Sequence, residues 1–329
     1  MLLKLIKNNN LFGTLLIPIV GVLFWMHGFQ SAQNPDIIAK DSVMPLYYLL
    51  QDLLKSLNLW QYTRGFILVL VNSFIISKLS SSFLLFRKGS SLPGIIYIIT
   101  ISSIKALHTL HPVHIATFCI LMAISYILNT YHQQRAEITF TFNASIFIAL
   151  ASLFYLPAAV LFPLIWISIF VLQKNDNWRL LVVPVMGFSA PWVLIWAVSF
   201  INNTSGNLFS TIKKILWSEN NAYLLDPVFL SVSALIILLT IMGSISLMSG
   251  YQLIKLSSRK YFTIFYWMLG LLVITALSLT MVGMEIIALS TIPVAFVISH
   301  FFLSGERYFW KELFFLIFIG AMTAAFLMW

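Results

Sequence analysis

The feature that most limits what this chain can fold into is a succession of apolar runs, each about 13 to 24 residues long and parted by short polar joints. A helix needs about 20 apolar residues to cross the hydrocarbon core of a bilayer. Inside that core every backbone N–H and C=O must find its partner within the protein. Only 9% of the residues are Asp, Glu, Lys or Arg, against about 25% in a soluble domain. The mean hydropathy is +0.95. These values exclude an ordinary soluble enzyme. They predict an all-α fold, a polytopic transmembrane helical bundle of about eleven spans forming a single integral membrane domain over residues 1–329.

The runs fall at residues 11–26, 66–85, 92–106, 113–128, 143–155, 158–172, 180–200, 227–250, 261–280, 285–302 and 313–328. Pro112 and Pro157 break the chain between short neighbouring runs, because proline cannot continue a helix and forces the residue before it towards extended geometry. Between the first two runs, residues 46–54 are amphipathic: Leu46, Leu49, Leu50, Leu53 and Leu54 share a helical face, which suits a helix lying in the interface of the first outer loop. The segment LFSTIKKILW, residues 208–217, has the same character.

Charge sets the orientation. If the N-terminus is cytoplasmic, 13 of the 19 Lys and Arg residues fall on the inner side, among them Lys4, Lys7, Arg135, Lys174 and Arg259. The positive-inside rule therefore predicts N-in and C-out. The net charge of +9 is spread singly and in pairs, which suits contacts with anionic membrane lipids and gives no nucleic-acid surface. One cysteine, Cys119, offers no disulfide framework. The run after Lys7 continues to Met26 without a small-residue cleavage site, so no cleavable signal peptide is expected.

With this topology the polar groups that could carry chemistry gather on the outer side. Residues 102–117, SSIKALHTLHPVHIAT, hold Lys105, His108, His111 and His114 at one hairpin tip. Such a cluster can neutralise a phosphate or supply a general acid or base; the same residues also serve as amphipathic tips at the headgroup level. The spacing His-x-x-His-x-x-His, broken by Pro112, matches no zinc signature, so no metal ligands are assigned. Asp36 and Asp41 in the first loop are candidate catalytic carboxylates, or simply part of a solvated loop. If the reaction uses a divalent cation, they would suit Mg or Mn. Glu285 sits at the outer edge of the tenth run, where a carboxylate is paired, functional, or placed as a helix N-terminal group.

The block of residues 143–192, NASIFIALASLFYLPAAVLFPLIWISIFVLQKNDNWRLLVVPVMGFSAPW, resembles an uncharacterised family of Bacteroidota integral membrane proteins of similar length. The carrying features are the LFYLPA turn, Asn177-Trp178-Arg179, and Gly187 with Pro191; SLPGIIYII and LHPVHIA fit the same pattern. The layout of a cytoplasmic N-terminus, an acidic first outer loop with an interfacial helix and about ten further spans is similar to the GT-C class of glycosyltransferases. That resemblance implies a sugar donor on a polyprenyl-phosphate carrier at the outer face of the bacterial inner membrane. Asp36 or Asp41 would stand where the first-loop acid stands, and Lys105, the histidines and Glu285 would bind substrate. The first loop here is short and carries no Asp-Glu or Asp-x-Asp pair. Two other readings are kept: a non-catalytic subunit of an envelope assembly with other envelope proteins as partners, and a lipid or solute transporter, to which interrupted hairpins point.

Overall fold

The computed structural model describes residues 10–30, 61–86, 89–131, 136–172, 178–203, 205–217, 227–278, 285–304 and 308–328, with single positions 3, 6, 44, 46, 47, 49 and 50 before them. Among the described residues there are twelve α-helices and no strand. They are α1 (Asn10–Gln30), α2 (Gln61–Ser82), α3 (Leu92–Ser102), α4 (Pro112–Thr130), α5 (Glu137–Phe154), α6 (Pro163–Leu172), α7 (Arg179–Ile201), α8 (Ser205–Trp217), α9 (Pro227–Ser249), α10 (Leu256–Ser278), α11 (Glu285–Leu303) and α12 (Tyr308–Met328). Eight of them, α2, α4, α5, α7 and α9 to α12, are long and apolar enough to cross a membrane. The chain is therefore a multi-pass, all-helical membrane protein. Three shorter apolar segments accompany them, Phe12–Met26, Leu92–Ser102 and Leu156–Leu172.

Proline sets several helix starts. Pro112, Pro163 and Pro227 are the first residues of α4, α6 and α9, where a missing N–H costs nothing and φ is already helical. Many hydroxyl side chains inside the helices are satisfied by carbonyls three or four residues back. Thr100 donates to Ile96 (2.9 Å), Thr117 to Val113 (2.7 Å) and Ser299 to Ala295 (2.6 Å). That habit lets polar residues sit in an apolar bundle.

α3 is the axis of the bundle. All eleven of its residues are buried, and α1, α2, α11 and α12 surround it. Contact with α2 is at backbone range. A Cβ built on Gly94 would lie 2.6 Å from the Ser73 carbonyl oxygen, and Ser73 Oγ donates to the Gly94 carbonyl at 2.8 Å. Small residues at such a crossing let backbones approach where lipid offers no hydrophobic drive. α11 is nearly as buried. It holds α10 through Phe296 and Phe265, stacked at 4.5 Å, and packs against α9 and α4 on other sides. α7 is peripheral: it leans on α5, with Trp192 Nε1 donating to Ser152 Oγ at 3.0 Å, and presents most of its surface outward.

The helix ends sort into two groups. At one end the carbonyls of Leu84, Leu128 and Leu172, which close α2, α4 and α6, accept from Ser258, Tyr261 and Lys260 of early α10. At the opposite end Trp25 of α1 meets Ser102 at the end of α3, Phe326 near the end of α12 meets His108, and His111 at the head of α4 meets Glu285 at the head of α11.

Two predicted runs change helix type along their length, and those at 66–85, 143–155, 261–280 and 313–328 begin about one turn earlier or more, at Gln61, Glu137, Leu256 and Tyr308. The run at residues 92–106 is helical only to Ser102, because Ser103 caps back onto Thr100 and Ile104 is extended (φ −98°, ψ 99°) before a 3-10 turn at Lys105–Leu107. The run at 158–172 begins as a 3-10 helix, Leu156–Leu161, and becomes α-helical only at Pro163. In the first-loop segment Tyr47 is buried, Leu46 and Leu50 pack on the core, and Leu49 is exposed. The inward stripe is therefore built around Tyr47, which the leucine pattern did not include; Leu53 and Leu54 lie outside the described residues.

Candidate functional site

The turn between α3 and α4 explains most of the histidine cluster. Eleven residues at 1.5 Å each give α3 a length of about 16 Å, well short of the roughly 30 Å of a hydrocarbon core. The chain makes up the difference with extended and 3-10 backbone at 103–111, where side chains meet the Ser102, Leu107 and Leu110 carbonyls. Backbone of this kind is tolerated in a membrane protein only where other groups satisfy it. His108 Nε2 donates to the Ser102 carbonyl at 2.8 Å, and His114 Nε2 to the Leu107 carbonyl at 2.8 Å. A carbonyl only accepts, so both imidazoles carry their hydrogen on Nε2. Tyr47 Oη donates to the Leu110 carbonyl, and Trp25 Nε1 to Ser102 Oγ at 3.0 Å.

Packing holds the same turn. The His108 ring lies parallel to Trp25 with centroids 4.4 Å apart and is flanked by Phe326 at 5.7 Å. Lys105 extends its ammonium over Phe326 at 5.0 Å from the ring centre, a cation–π arrangement. From α2, Gly65 brings its backbone so close that a Cβ there would sit 2.5 Å from the Thr109 carbonyl oxygen. His108 and His114 are buried, so their role in the structure is to replace missing backbone partners.

His111 is placed differently. It is the N-cap of α4, extended at φ −90°, ψ 142° as the residue before a proline should be. Its Nδ1 accepts from the Val113 amide at 3.3 Å. The hydrogen is thus on Nε2, which lies 3.5 Å from Glu285 Oε1 at the head of α11. Glu285 therefore serves both readings of its position: it opens a helix, where the dipole favours a carboxylate, and it pairs with an imidazole. Tyr155, at the end of α5, is near enough to feel the Glu285 carboxylate. Glu285 keeps 28% of its side chain exposed and His111 12%. Lys105, His111, Glu285 and Tyr155 thus form the rim of this end of the bundle.

Asp36 and Asp41 lie outside the described residues. Their loop departs from α1 just beyond Trp25 and returns to α2 just before Gly65, and both residues touch the turn. Among the described residues no three His, Cys, Asp or Glu side chains converge as a metal site would require. Sequence reasoning passed over Trp25, Tyr47, Asn72 and Tyr97. Asn72 carried the one available signal, an amide in the middle of an apolar run. Comparison with family models, curated proteins and solved structures finds no match.

Proposed function

We propose that this chain is an eleven-segment protein of the bacterial inner membrane, N-terminus inside and C-terminus outside, that transfers a sugar from a polyprenyl-phosphate carrier at the outer face in the manner of GT-C glycosyltransferases. Eight long helices and three short apolar segments support the segment count. The alternation of helix ends supports an up-and-down winding, and the basic residues supply its orientation. Reporter fusions at Arg135 and Asn203 should report cytoplasm and exterior; the same compartment for both would remove the topology.

The observation that carries the functional reading is Tyr47 on the Leu110 carbonyl. It seats Tyr47, six residues after Asp41 in the sequence, on the turn that presents Lys105 and His111, which supports a first-loop carboxylate acting there. In this reading a first-loop carboxylate takes the proton of an acceptor hydroxyl as its oxygen attacks the anomeric carbon. The bond from that carbon to the carrier phosphate oxygen breaks, and the carrier departs as its phosphate. Lys105, charged and partly exposed, offsets the charge that develops on the leaving oxygen. Glu285, oriented by His111, accepts hydrogen bonds from sugar hydroxyls. A divalent cation such as Mg or Mn would be held by the first-loop carboxylates.

A second reading, a non-catalytic subunit of an envelope assembly, is favoured by the commitment of His108 and His114 to internal bonds, which leaves few convergent polar groups. The discriminating experiment uses Lys105→Ala, Asp36→Asn and Asp41→Asn at wild-type abundance, assayed for transfer from polyprenyl-phosphate-linked sugars in proteoliposomes. Loss of the true base should lower turnover by about 10²- to 10⁴-fold with little change in donor binding. Absence of transfer by the wild-type protein sinks the enzyme reading, wild-type turnover in all three variants sinks the roles given to these residues, and failure of Lys105→Ala alone turns the balance to a lipid-binding role for the turn.

A further inference from the structure

Beneath the rim, where α2, α3 and α4 meet, Asn72, Tyr97, His114 and Thr117 are all fully buried. Their donors can be traced one by one. Asn72 Nδ2 donates to the His114 carbonyl at 3.0 Å and lies 3.5 Å from the Tyr97 hydroxyl. Flipping this amide would set two oxygens face to face, so its orientation is determined. Thr117 Oγ1 donates to the Val113 carbonyl at 2.7 Å, and the Tyr97 hydroxyl lies within hydrogen-bonding reach of the Thr117 side chain. His114 spends its Nε2 hydrogen on Leu107. Two acceptors remain, Asn72 Oδ1 and His114 Nδ1, both buried and both without a partner.

Neither atom can satisfy the other, since each only accepts. Buried acceptors are rarely left bare, because each has given up its water on folding. We propose that one water molecule is bound between α2 and α4, donating one hydrogen to Asn72 Oδ1 and the other to His114 Nδ1. The Asn72 amide already rests on the backbone of His114, so the two acceptors belong to adjoining groups. A guest here must bring two donors and be small, which selects water. An amide oxygen and an imidazole nitrogen also ligate cations, but none of these four side chains offers a negative charge to offset a buried ion. The bound water completes a polar tie among three helices directly under the histidine turn. It also fixes the tautomer of His114 that serves Leu107, independently of any reaction at the rim.

The test is magic-angle-spinning NMR on the full-length protein in lipid bilayers, with ¹⁵N-histidine and labelled asparagine. His114 should appear as the neutral Nε2–H tautomer, with its Nδ1 receiving magnetisation from water protons, and the Asn72 side chain should receive it as well. His114→Gln keeps a donor for Leu107 while deleting the Nδ1 acceptor, and should reduce transfer to Asn72 several-fold. An Nε2–H imidazole with no transfer from water, or a hydrogen on Nδ1, overturns the proposal. If the variant does not fold, the wild-type spectrum alone decides between these results.

Discussion

Substituting alanine at two glycines should move stability in opposite directions, and the structure supplies both signs. At Gly94 a new Cβ would lie 2.1 Å from Ser77 Oγ and 2.6 Å from the Ser73 carbonyl oxygen. The hydroxyl can rotate away, but the carbonyl belongs to the backbone of α2. Restoring an ordinary contact requires α2 and α3 to part by roughly 1 Å, and α3 is enclosed by α1, α2, α11 and α12. Overpacking of that kind costs about 1–3 kcal/mol. Loss of the Ser73–Gly94 hydrogen bond adds about 0.6 kcal/mol, a typical value inside a membrane protein. The better helix propensity of alanine returns up to about 1 kcal/mol, leaving a net loss of about 1–3 kcal/mol. At Gly320 in α12 nothing lies within 4 Å of the built Cβ, so only the propensity gain of up to about 1 kcal/mol remains. Thermal unfolding of Gly94→Ala and Gly320→Ala in one detergent, followed by tryptophan fluorescence, should bracket the wild type from below and above. Equal midpoints for the two variants would refute the close approach of α2 and α3.

Two further substitutions probe the turn. Burial raises the Tyr47 phenol from 10.0 to about 12; its contribution is therefore whole below pH 10 and is lost as pH rises through about 12, so the stability advantage of wild type over Tyr47→Phe should vanish over that window and not at lower pH. His108→Leu removes the donor to Ser102 and should cost about 1–3 kcal/mol, while His108→Gln keeps an N–H within reach and should cost less; equal losses in a denaturant titration would show that stacking on Trp25, not the hydrogen bond, is what His108 supplies.

Much of the fold was legible because the bilayer reduces it to a question of length and punctuation. The predicted runs at 180–200, 227–250 and 285–302 fall within two residues of α7, α9 and α11, since Pro227, Glu285 and the Asn202-Asn203 pair, the second at φ 54°, mark helix ends. Less legible were the two places where a run continues in composition but changes in geometry. Residues 158–162 are as apolar as the helices beside them, and the 3-10 turn there packs against α10; at 103–106 only Ser103 and Lys105 interrupt the run, and neither marks where the helix stops. The face of the first-loop segment was misjudged for a similar reason. Leucine spacing measures amphipathicity, whereas Tyr47 turns inward because a carbonyl on a distant turn is there to be met.

The histidine cluster shows how one pattern can divide into two roles. Spacing at i, i+3 and i+6 revealed three imidazoles at a hairpin tip, but donors are visible in a sequence and acceptors are not. The Ser102 and Leu107 carbonyls became acceptors only because α3 stops after eleven residues and leaves them without helical amides. His108 and His114 substitute for those amides and so tie the turn to the ends of the helices beside it. His111 escapes this duty because Pro112 sets it extended at the head of α4, its Nδ1 on the Val113 amide and its Nε2 towards Glu285. The turn therefore carries a partly exposed imidazole–carboxylate pair whose geometry is set by the protein before any ligand could arrive.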